Sequence, residues 1–75
     1  MRIFVIEAYG GEQTTDGSIA QFTVHADSLD QAFDLVRHSK IGQRYARFEV
    51  IEETGEFEAD EPGIIAASES TASIS

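Results

Sequence analysis

The sequence predicts a small α+β domain, a ββαβ unit in which one helix lies on one face of a three- to four-stranded, antiparallel or mixed sheet. Three observations carry that prediction: an amphipathic run at residues 28–40, two β-type segments before it at 2–9 and 19–26, and another after it at 45–52. A chain of 75 residues has room for one hydrophobic core, so these segments must share it.

Residues 2–9, RIFVIEAY, are β-branched and aromatic and stop at Gly10 and Gly11, as a strand does. Phe4, Ile6 and Ala8 form one apolar face, and Ile3 and Val5 the other, which predicts a central strand covered on both sides. Residues 10–18 are polar and turn-rich, with Asp16 and Gly17 as the turn pair of a hairpin. A phosphate cradle is excluded there, because the loop lacks Lys, carries Glu12 and Asp16, and leads into a strand rather than a helix N-terminus. Residues 19–26 alternate, with Ala20, Phe22, Val24 and Ala26 inward and Gln21, Thr23 and His25 outward.

The helix is marked by a capping box, Ser28 with Gln31, followed by an apolar stripe of Leu29, Ala32, Phe33 and Val36, flanked by Leu35. Asp30 and Asp34 lie toward its N-terminal end and Arg37, His38 and Lys40 toward its C-terminal end, complementing the helix dipole. Gly42 is the predicted stop. In residues 45–52, Ala46, Phe48 and Val50 are expected to face the helix. A crossover through the helix makes this strand parallel to the second and pairs it with the first, giving the order 2-1-3. Thr54 and Gly55 read as a turn, and residues 56–59 as a fourth strand beside the third, extending the order to 2-1-3-4. Beyond Pro62 and Gly63, Ile64 and Ile65 are expected to fold over Ile3, Val5 and Ile51 on the far face of the sheet. The domain then spans residues 1–65, and residues 66–75, AASESTASIS, have the composition of a disordered tail.

Fourteen Asp and Glu against five Lys and Arg give a net charge of −9, which opposes direct binding to nucleic acid or to an anionic membrane. No cysteine is present, so disulfides and thiolate zinc sites are excluded and a reducing, cytoplasmic setting is the expectation. No apolar run has the length of a membrane span or a signal core. Arg37, Lys40, Arg44 and Arg47 sit within eleven positions, and Glu49, Glu52, Glu53, Glu56, Glu58, Asp60 and Glu61 fill the next stretch.

Enzymatic readings find little purchase. His25 and His38 have no nucleophile and orienting group at motif spacing. Asp34 and His38, one helical turn apart, supply at most two metal ligands where a site needs three or four. No cofactor is expected. Helix-dipole complementarity and intramolecular pairing account for the basic stretch. The seven acids are the sharper feature: alternate strand residues project from one face about 6.7 Å apart, comparable to successive phosphates. Two readings of Glu49, Glu52, Glu53, Glu56, Glu58, Asp60 and Glu61 stand side by side: a solvated edge that resists aggregation, or contact residues for a basic protein surface, in competition with nucleic acid. In size and charge the chain resembles the short acidic proteins with which phages block host nucleic-acid-binding machinery. A different class of function is a homodimer joined through Ile3, Val5 and Ile51 that binds a metabolite or performs acid–base chemistry between subunits.

Overall fold

The computed structural model describes residues 1–11, 18–56, 58 and 60–71. Residues 12–17, with the Asp16–Gly17 turn, and residues 57, 59 and 72–75 lie outside the described residues. The elements are β1 (Arg2–Tyr9), β2 (Ser18–Ala26), α1 (Leu29–His38), a 3-10 turn (Gly42–Arg44), β3 (Arg47–Glu56) and β4 (Gly63–Thr71). All pairings are antiparallel, in the order β3-β1-β2-β4.

The alternation of β1 and β2 sets the layer that α1 covers. Phe4, Ile6, Ala8, Ala20, Phe22, Val24 and Ala26 are buried, because directly paired residues such as Phe4 and Val24 share a face. The helix returns Ala32 and Val36 to that layer, while Leu29, Phe33 and Leu35 pack at its margin, as the stripe predicts. The Ser28 side chain accepts a hydrogen bond from the Gln31 N–H at 3.2 Å. The Gln31 amide reaches one residue further back than in a standard box and accepts from the Asp27 N–H at 2.7 Å.

The helix stops before Gly42. Ser39 ends it, its hydroxyl donating to the Val36 carbonyl at 2.6 Å and accepting from the Gly42 N–H at 2.9 Å. Gly42 is required for another reason: a Cβ there would fall 1.7 Å from the Val36 carbonyl oxygen. The chain then buries Tyr45, which the alternating pattern assigned to the strand, and leaves Ala46 exposed ahead of β3. Phe48 and Val50 pack at the core margin as expected.

Three expectations for the C-terminal third are overturned. Thr54 and Gly55 are not a turn, since β3 runs on to Glu56; Gly55 is absorbed at a register shift between the Arg2–Glu56 and Ile3–Thr54 pairs. The expected fourth strand at 56–59 falls partly outside the described residues, at 57 and 59; of the rest, Glu56 closes β3 and Glu58 is in no strand, so the fourth strand of the sheet lies elsewhere. It is Gly63–Thr71 beside β2, so the order 2-1-3 holds and 2-1-3-4 does not. Residues 66–71, expected as a patternless tail, make up most of β4. Charge explains the choice: a strand carrying Glu56 and Glu58 beside Glu49, Glu52 and Glu53 would align like charges, whereas β2 bears no Asp, Glu, Lys or Arg and β4 only Glu69.

Ile64 and Ile65 consequently do not cover the far face. Ile64 pairs with Val24 and packs on the helix side, and Ile65 falls at a register shift, 47% exposed. Ile3, Val5, Ile19 and Thr23 on the other face of the sheet stay half-exposed rather than enclosed.

Candidate functional site

Strand β3 is a border of the sheet, and its register with β1 places each of its acids. Directly opposed residues share a face, so Glu49 opposite Glu7 and Glu52 opposite Val5 lie on the open face. The shift at Ile51 then reverses the alternation relative to Phe48 and Val50. Glu53, opposite Phe4, and Glu56, opposite Arg2, lie on the helix side. The acids therefore do not form one alternating row with a phosphate-like repeat.

The remaining three, Glu58, Asp60 and Glu61, belong to the connection between β3 and β4 and are exposed. That connection must pass from one border of the sheet to the other, across the end where β1 begins and β2 finishes. Because α1 follows β2 directly, its first turn lies at this same end, bringing exposed Asp27 and Asp30 to it. Sequence reading missed these two acids as part of the candidate surface. They were legible as residues flanking a helix start, but only the order of the strands reveals which other acids share that end.

The result is a molecule acidic at one end of its strands and mixed in sign at the other. One end carries Asp27, Asp30, Glu53, Glu56, Glu58, Asp60 and Glu61 against Arg2, whose guanidinium donates to Glu53 at 2.6 Å. The other holds the helix C-terminus and the 3-10 turn, where Arg37, Lys40, Arg44 and Arg47 are interspersed with Asp34, Glu49 and Glu69. Arg37 pairs with Asp34 at 3.0 Å and Arg44 with Glu69 at 3.2 Å, so intramolecular pairing does take up part of the basic stretch. These ion pairs are exposed or partly exposed and contribute modestly to stability.

The Asp34 and His38 pair does not converge on a common point for a metal. The Asp34 carboxylate engages Arg37, while His38 Nδ1 lies 2.8 Å from the Asp34 backbone carbonyl, which accepts from it. Among the described residues no group of three or more His, Cys, Asp or Glu is arranged to hold an ion. His25 is half-buried on the open face, beside β4 at Gly63.

Among the described residues, shallow grooves lie on both sides of α1. On the β4 side, a groove of about 330 Å³ is lined by Asp34, Leu35, His38, Ser39 and Ile64. On the β3 side, one of about 220 Å³ is lined by Phe33, Arg37 and Phe48. Among the described residues no helix is long and apolar enough to cross a membrane. No family model, curated protein or solved structure matches the chain.

Proposed function

We propose that this protein is a non-enzymatic interaction module that docks its acidic end on a basic surface of a partner protein, in its most specific form as an inhibitor competing with nucleic acid. The observation that supports this reading is the gathering of exposed Asp27, Asp30, Glu53, Glu56, Glu58, Asp60 and Glu61 at one end of the sheet, offset by Arg2 alone among the charged residues named there. An acidic surface of this kind accelerates encounter with a cationic partner and repels nucleic acid. Glu49 and Glu52 extend the negative potential along the open face and act as its margin.

The test is capture of partners from host lysate at low and high salt, with and without competing duplex DNA. Neutralising Glu53, Glu56, Glu58, Asp60 and Glu61 to their amides is expected to abolish capture, while the same change at Glu7, Glu49 and Glu52 weakens it only in part. Capture that survives the first set and ignores salt would overturn the reading.

A further inference from the structure

The two borders of the sheet differ in a way that the acidic docking reading does not use. Strand β3 carries Glu49, Glu52, Glu53 and Glu56 and two register shifts, both of which discourage another strand from adding to it. Strand β4 has nine residues and no Lys or Pro. Its one charged side chain, Glu69, is already paired with Arg44 at 3.2 Å. After a single shift next to Val24, residues 66–71 run in unbroken register with β2. Ala66, Ala67 and Ser68 add no bulk along this stretch, so a neighbouring backbone can approach. A long regular border with little charge is a template for a further strand.

We infer that this border is occupied by a second copy of the chain, β4 pairing antiparallel with β4 about a two-fold axis to form a continuous eight-stranded sheet. Charge selects this arrangement. A chain of net charge −9 associates with itself only where its acids stay apart. Pairing through β4 puts the two β3 borders seven strand spacings apart, roughly 34 Å, well beyond the screening length at physiological salt. Stacking the open faces through Ile3 and Val5 would instead set Glu7, Glu49 and Glu52 of each copy about 10 Å from the opposing sheet. The border also offers apolar surface to cover: Ile65 is 47% exposed, and the groove of about 330 Å³ bounded by Leu35 and Ile64 opens beside it.

Sedimentation equilibrium on the full chain up to about 0.5 mM, in physiological salt, is expected to show reversible dimerisation, the range in which edge pairing of modest affinity registers. Ala66→Lys, which sets like charges near one another across the axis, is expected to weaken the dimer by roughly tenfold or more. Val5→Lys on the open face should leave it intact. Because the chain has no cysteine, single replacements at Ala66, Ala67 and Ser68 give a second readout independent of the lysine variants. Disulfide dimers should form at one of these positions and fall off at its neighbours, since only residues close to a two-fold axis approach their own copies at bonding distance. A strictly monomeric mass over the whole range overturns the inference, as does a dimer lost in Val5→Lys but kept in Ala66→Lys, or cysteine cross-linking with no positional preference.

Discussion

Strands β3 and β4 are the two borders of one sheet, ten and nine residues long, and they solve the problem of an exposed edge in opposite ways. The first is crowded with acid and broken twice in register, with Ile51 and Gly55 left over at the breaks. The second is nearly uncharged, broken once, and tied to the rest of the molecule through Ile64 beneath the helix and Glu69 to Arg44. Edge protection is a matter of side-chain charge and local twist, so one border of a small sheet can be closed to association while the other stays open.

The largest expected effect comes from removing one side of the comparison. A chain ending at Pro62 loses the whole β2 ladder on that side and uncovers Phe22 and Val24, which are fully buried in the intact molecule. It is expected to lose its cooperative thermal transition, monitored by circular dichroism. A truncated chain that melts like the intact one would mean that β4 is an accessory.

Next comes a contrast inside β4. Ile64→Ala should cost about 2 kcal/mol, the lower range for truncating a packed aliphatic side chain, whereas Ile65→Ala should stay within about 0.5 kcal/mol in the monomer at low concentration. Equal denaturation midpoints for the two would contradict the register that turns Ile64 toward the helix.

Smaller again is the contribution of the border ion pairs. Arg44→Ala and Arg2→Ala, which release Glu69 and Glu53, are each expected to cost at most about 1 kcal/mol, with the loss reduced in high salt. Chemical denaturation at two ionic strengths measures both. A penalty of several kcal/mol for either would show that the pair anchors its border rather than decorating it.

The smallest effect has the opposite sign. Glu49 stands directly across from Glu7, and Glu49→Gln is expected to stabilise the domain by about 0.5 kcal/mol, most clearly at low salt. A thermal melt in dilute buffer is the check, and destabilisation there would show that the β3 acids serve the fold as well as any partner.

Much of the architecture was legible locally. The period-two pattern of Phe4, Ile6 and Ala8 with Ala20, Phe22, Val24 and Ala26 identifies the buried face of the central strands, and the stripe through Ala32 and Val36 identifies what covers it. The capping role of Ser28 was legible for the same reason, since its partner is three residues away. The acids of the candidate site were legible as residues but not as a surface. Their grouping depends on two register shifts and on a connection that crosses the end of the sheet, neither of which leaves a local mark.

The sequence by itself determined the two inner strands, the helix and the sign of the protein's charge, because periodicity and composition are properties of contiguous residues. Tertiary structure alone decided that 63–71 becomes a strand, that it joins β2 instead of β3, and that Asp27 and Asp30 stand with Glu58, Asp60 and Glu61. The physical reason is that AASEST carries no pattern of its own. Its strand conformation follows from the unpaired backbone of β2, a template supplied by residues 43 to 53 positions earlier.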